Sequence, residues 1–219
     1  MACEGFTIKD CALIAIATGE KAQNLRELRD QLKNTHKGCL YYHFWAGLLR
    51  PSFDDPEFQN DFAVWASRNL HDSKISEQFS LIDPNIYSDL EDLRQEVIEI
   101  IEQRLYELEH VPWVKQGLEF HFVRSQMVIF DTGMCLKKPE SFINIIPHMS
   151  LGSIFYHFID SRRRTPEIKS DFSLWLRDLG DQYTDLSDSL DQIDPYFTTL
   201  NELRDDISTI FCNYFKESA

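Results

Sequence analysis

Basic side chains are in short supply in this chain. Lysines and arginines number 22 against 36 aspartates and glutamates, a formal net charge of -14. A field that negative repels nucleic-acid phosphates and anionic lipid headgroups, so neither direct nucleic-acid backbone binding nor a membrane partner is expected. Long apolar runs are missing too. The run ALIAIA at 12–17 falls far short of the roughly 20 residues a membrane helix needs, and it follows Lys9 and Asp10. Neither a signal peptide nor a membrane span is expected. Glycine and proline number eight each, too few for a low-complexity or collagen-like chain.

The five cysteines are Cys3, Cys11, Cys39, Cys135 and Cys212, an odd number with no C-x-x-C spacing. That pattern argues against a zinc site and a disulfide framework, and it predicts scattered free thiols in a reducing, cytoplasmic setting. Catalytic signatures are also lacking. There is no G-x-S-x-G and no H-E-x-x-H, and Thr18-Gly19 and Thr132-Gly133 lack the Gly-rich run and lysine of a phosphate loop. No cofactor, no metal and no visible nucleophile follow, and the expectation leans away from an enzyme.

What is present is a series of motifs that occurs twice in one order. GCLYYHFWAGLLR (38–50) answers to GSIFYHFIDSRRR (152–164), and NDFAVW (60–65) to SDFSLW (170–175). IDP recurs at 82–84 and 193–195, and LEDLRQE (90–96) returns as LNELRDD (200–206). The order predicts a tandem duplication, with repeat 1 over 1–111, a linker at 112–118 and repeat 2 over 119–219, packed as one compact unit.

The expected fold class is mainly α, two tandem helical repeats packed together, each allowing one short β-strand or extended segment. Those segments are FTIKDCALIAIATG (6–19) and FHFVRSQMVIFDTG (120–133), in which Phe6 aligns with Phe120 and Ile8 with Phe122. The second is β-branched and aromatic and ends at a glycine, which favours a strand; the alanines of the first leave strand and helix open. Asn60-Asp61 and Ser170-Asp171 are natural helix N-caps. Ser88-x-x-Glu91 and Thr199-x-x-Glu202 read as capping boxes that launch amphipathic helices with apolar stripes Leu90, Leu93, Val97, Ile101, Leu105, Leu108 and Leu200, Leu203, Ile207, Ile210, Tyr214. Sixteen phenylalanines, eight tyrosines and four tryptophans predict an aromatic interior.

The motif order F-x-F, TG, then YHF, DF-x-x-W, IDP and LR resembles a bacterial tandem-repeat family catalogued only as a domain of unknown function. The resemblance spans nearly the whole chain. It implies a bacterial source and the duplicated layout, and it supplies no reaction, cofactor or catalytic residue.

Polar residues present in both copies are Tyr42/Tyr156, His43/His157, Asp61/Asp171, Asp83/Asp194 and Arg94/Arg204. As chemistry, a carboxylate would orient each imidazole while an arginine held an anionic substrate, giving a hydrolase or transferase with or without a metal. As structure, the aspartates cap helices, the arginines pair within acidic helices, and a buried imidazole bonded to an aspartate serves packing alone. Arg162-Arg163-Arg164 is a dense basic cluster that reads either as a solvated helix end or as an anion or nucleotide site, and repeat 1 keeps only Arg50 there. The leading expectation is a non-catalytic protein-interaction or adaptor module whose partner is another protein, with self-association as a further route.

Overall fold

The structure is a computed structural model that describes residues 5–49, 58–87, 89–196 and 198–217. Cys3, Arg50, the proline-containing joint and Ser88 of the first capping box lie outside the described residues.

The expected mainly α pair of helical repeats, each with at most one short strand or extended segment, is overturned by a sheet that forms a core. Strands β1 (Phe6–Ala22) and β2 (Phe120–Leu136) are 17 residues each and pair with one another in a two-stranded sheet. The pairing is antiparallel. The Thr18 hydroxyl donates to the Phe122 carbonyl (2.7 Å) and the Thr132 hydroxyl to the Ile8 carbonyl (2.6 Å). Helices still account for about 60 % of the chain. The strands outrun the expected segments because Gly19 and Gly133 do not end them. Each takes a positive φ (83° and 73°), a conformation open to glycine, and the strand runs on through it. Burial alternates where the helices lie, with Phe6 and Ile8, and likewise Phe120 and Phe122, turned inward.

The chain divides into two compact units, and the division falls within both strands. Unit I is Leu13–Gln126; unit II is Met1–Ala12 with Met127–Ala219. Each therefore owns the first half of one strand and the second half of the other.

Unit I holds α1 (Leu25–Asn34), α2 (Lys37–Leu49), α3 (Asp61–Arg68), α4 (Ser73–Ser80) and α5 (Leu90–Glu107). Asn24, Asn60, Asp72 and Asp89 cap four of these helices by accepting a first-turn N–H, which satisfies donors the helix itself cannot. Asp89 thus caps α5 on the residue after Ser88. Helix α5 packs on α1, α2 and α4, and Leu90, Leu93, Val97 and Ile101 are buried along it.

Unit II holds α6 (Phe142–Ile145) and a continuous helical run of α7 (Leu151–Ile154), a π-helical stretch (Phe155–Asp160) and α8 (Ser161–Arg164). Helices α9 (Asp171–Leu179), α10 (Thr184–Asp191) and α11 (Leu200–Glu217) follow. At the start of α11 the capping box forms as expected: the Thr199 hydroxyl accepts from Glu202 N–H (3.2 Å) while Glu202 accepts from Thr199 N–H (2.9 Å). Phe142, Phe155, Phe158, Phe172 and Phe211 are fully buried in this unit.

Among the described residues no helix is long and apolar enough to cross a membrane. The thiols are not all free. Cys11, Cys39 and Cys212 are, but Cys135 is disulfide-bonded, which removes the premise on which a reducing compartment was expected.

Candidate functional site: two imidazole anchors

In unit I a half-strand is laid across the helix that carries His43. Gly38, in the first turn of α2, leaves room for it. A Cβ there would come within 2.9–3.0 Å of Arg124, His36 and the Ser125 carbonyl, and the Ser125 hydroxyl donates to the Gly38 carbonyl (3.2 Å). Asn60 makes the helix cap, which leaves the Asp61 carboxylate, in the first turn of α3, to meet His43 Nδ1 at 2.8 Å. The other ring nitrogen, Nε2, accepts the Val123 main-chain N–H (3.2 Å). A main-chain N–H can only donate, so Nε2 holds a lone pair and Nδ1 carries the proton that goes to Asp61. The ring is 4 % exposed, tilted against Phe120 at 4.6 Å, and Phe120 stacks on Phe62 at 5.0 Å.

Unit II repeats the arrangement. His157 Nδ1 meets Asp171 at 2.7 Å, and Nε2 accepts the Lys9 N–H at 2.9 Å. Ser170 caps α9 and leaves Asp171 to the imidazole. The ring is buried against Phe6 at 4.8 Å, and Phe6 stacks on Phe172 at 5.1 Å. Gly152 is the close-approach glycine here, since a Cβ would collide with Asp10 and the Cys11 backbone. The Cys11 thiol donates to the Gly152 carbonyl (3.3 Å). Burial first, then the charges of Asp160 and Asp10, push that thiol up to about 12 against the opposing pull of Arg164, so it stays protonated and is a poor nucleophile.

Unit II adds a charge network that has no counterpart around His43 among the described residues. Arg164 reaches Asp171 (2.9 Å), the buried Asp160 (2.7 Å) and the Tyr156 carbonyl (2.9 Å), and lies over the Tyr156 ring at 4.1 Å. Burial opposes its charge, but Asp171, Tyr156 and Asp160 outweigh that and hold the guanidinium above its ordinary value. Arg163 pairs with Asp160 (3.2 Å), and Arg162 donates to the Ile193 carbonyl (3.1 Å) and sits over Phe158. The arginine cluster is thus engaged with its own unit.

The structure brings each histidine together with its aspartate and its tyrosine and leaves the repeated Asp83/Asp194 and Arg94/Arg204 elsewhere. Asp83 accepts from Asn85 N–H (2.9 Å) and Asp194 from Tyr196 N–H (2.9 Å). Arg94 pairs with Glu91 and donates to the Leu32 carbonyl; Arg204 donates to the Met149 carbonyl and to Asn201. Tyr42 and Tyr156 stand edge-on to His43 and His157 at 5.2 and 5.0 Å.

Chemically, a general base needs a lone pair aimed at substrate, and a metal ligand needs one aimed at the metal. Both imidazoles give theirs to a strand N–H. Among the described residues, no group of three or more His, Cys, Asp or Glu side chains is placed to hold a metal ion.

Sequence reasoning missed the strand N–H donors and the buried Asp160. A signal for the first was present: in both copies a good capping residue, Asn60 or Ser170, precedes the aspartate, which frees that carboxylate from capping.

The chain belongs to the family of unknown function DUF5752, whose model matches residues 3–212. Its fold is that of a solved protein, OrfY from Thermoproteus tenax, with a TM-score of 0.82 and 23 % sequence identity over 100 % of this chain and 99 % of that one. No curated protein matches the sequence.

Proposed function

We propose that the chain is a tandem duplication that serves, in a bacterial host, as a non-catalytic protein-interaction module. The duplication is supported by the hydrogen bonds themselves. Imidazole to carboxylate, strand N–H to imidazole and glycine against strand recur with matched partners in both units.

One observation carries the functional reading. The repeated histidines and aspartates are committed to holding helices and strands, whereas the ribbon bears large apolar side chains in the open. On β2 within unit II, Ile129 is 49 %, Phe130 50 % and Met134 43 % exposed. Neighbours on a strand point to opposite faces, so Ile129 and Phe130 leave both faces apolar there. With two strands in the sheet, each also has an outer edge that the other does not pair, and such edges accept an added strand from a partner.

The test is capture of partners from the native host with the full chain and with a Phe130→Lys variant, alongside sedimentation of both at several concentrations. A stoichiometric partner, or a self-associated form, that Phe130→Lys loses is the expected result. Recovery of neither, or equal recovery with the variant, contradicts the reading.

A further inference from the structure

Unit II carries an open surface hollow of about 500 Å³ lined by Glu140, Ile143, Gln182, Tyr183, Tyr214 and Phe215. The three rings do not stack in parallel. Tyr214 and Phe215 stand at 85° with centroids 5.1 Å apart, and Tyr183 is tilted by 47° and 57° to them. Tyr214 is pinned by its hydroxyl donating to the Gln182 carbonyl. Among the described residues, one carboxylate, Glu140, faces this aromatic wall, and no lysine, arginine or histidine lines the site. Burial, then the negative charge of Glu140, raises the Tyr183 phenol above its ordinary value, so the ring stays neutral.

Unit I shows what occupies the corresponding place. Buried Leu90, Leu93, Val97 and Ile101 of α5 answer to buried Leu200, Leu203, Ile207 and Phe211 of α11. The same register puts Tyr214 where Arg104 stands, and Tyr183, which immediately precedes α10 as Asp72 precedes α4, stands in the place of Asp72. In unit I that place is filled by the chain's own cations. Arg104 donates to Asp72 (2.8 Å) and Glu107 (3.0 Å), and Lys74 to Glu107 (2.7 Å).

We infer that the unit II hollow is a receptor for an organic cation, a guanidinium or ammonium group, taking the place that Arg104 fills in unit I. Ring faces attract cations through their quadrupole, and a carboxylate supplies the counter-charge. An anion would meet Glu140 and the negative field of the whole chain. A neutral apolar ligand would strip water from Glu140 and return nothing. The inference rests on the duplicated register of the proposed reading. The same cation can arrive as a free small molecule or as an arginine side chain on a peptide.

The test is an NMR titration of the full chain with N-acetylargininamide, with its uncharged analogue N-acetylcitrullinamide, and with a capped Gly-Arg-Gly peptide. The charged amide should shift the Tyr183 and Tyr214 ring signals, and the citrulline analogue should bind at least about tenfold more weakly. Glu140→Gln should weaken binding by about the same factor, and Tyr214→Arg should abolish it by supplying the cation internally. Tighter binding of the peptide than of the amide assigns the site to a protein partner; equal binding assigns it to a free cation. Equal response to the charged and uncharged amides, with the fold intact by circular dichroism, overturns the inference. If that happens while Phe130→Lys still loses its partner, the inference falls alone. If Glu140→Gln weakens binding but Tyr214→Arg leaves it unchanged, the shared register is wrong at α11 and the inference falls with it.

Discussion

Units I and II hold a strand by the same two hydrogen bonds, yet they surround those bonds differently. Around His43 the partner carboxylate, Asp61, is 45 % exposed and bonded to the imidazole. Around His157 the carboxylate, Asp171, is 21 % exposed, is shared with Arg164, and neighbours a buried Asp160 that two arginines neutralise. The helix bearing His43 is regular, whereas the one bearing His157 widens to a π-helical stretch at Phe155–Asp160. The invariant between the units is the neutral imidazole anchoring a strand. Among the described residues, the variable is how much charge is buried beside it. The anchor is therefore separable from the charge network, and that separation can be attacked experimentally.

The largest difference should come from the two close-approach glycines. Gly152→Ala places a methyl group into strand backbone, at Cys11, and should cost about 3 kcal/mol by urea denaturation. Gly38→Ala meets its neighbours at 2.9–3.0 Å, one of them the flexible Arg124 side chain, and part of its cost is offset by alanine's better helix propensity. A loss of about 1 kcal/mol or less is expected there. Equal losses would break the comparison.

Next in size is removal of the carboxylates. Asp171→Ala strands the buried imidazole N–H and removes one of the two carboxylates that hold Arg164, and should cost about 3 kcal/mol. Asp61→Ala leaves an imidazole N–H beside a solvated site and should cost about 1 kcal/mol. An Arg164→Met background should shrink the first loss and leave the second unchanged, as a double-mutant cycle would show.

A smaller effect appears in acid. Burial pushes Asp191 up, but hydrogen bonds from Lys169 and Ser173 and the charges of Lys169 and Arg177 outweigh it, so its carboxyl lies below the ordinary value. A folded-state value below the unfolded one means stability that is present above the unfolded carboxyl range and lost as pH falls through the folded value. Melting temperature should therefore drop below about pH 4, and Asp191→Asn should flatten that part of the acid limb. Glu107 of unit I is lowered by Lys74 and Arg104 in the same direction, but it is exposed, so Glu107→Gln should flatten the limb less.

The smallest effect is chemical. The Cys11 thiol, raised from 9.0 to about 12, should resist iodoacetamide at pH 8 until the chain unfolds, which mass spectrometry of partially alkylated protein would show. The sign runs toward the protonated fold, so any cost to stability appears only as pH rises past the ordinary thiol value.

Much of the helical layout was legible because helix signals are local. The Thr199-x-x-Glu202 box, the Leu90–Leu93–Val97–Ile101 stripe and the caps at Asn60 and Ser170 depend on residues within a turn or two of one another. The ribbon was not legible, because its pairing joins residues more than 100 positions apart, as Thr18 to Phe122 is. Alanine-rich β1 carried little strand propensity of its own, and Gly19 and Gly133 read as stops. His43 and Asp61 could be named as candidates from repetition alone, but not which repeated aspartate meets the imidazole. What the pair does could not be named either, because the deciding atoms are the main-chain N–H groups of Val123 and Lys9, which every residue but proline carries.

The central claim is that both imidazoles are neutral, protonated on Nδ1, and committed through Nε2 to a strand. Nitrogen-15 NMR of imidazole-labelled protein at neutral pH reads this directly. The account predicts that His43 and His157 both show a protonated Nδ1 and an unprotonated Nε2, with hydrogen-bond couplings from Nε2 to the amides of Val123 and Lys9. A protonated Nε2 on either ring, or an Nε2 open to water without those couplings, would contradict it and return the pair to the list of catalytic candidates.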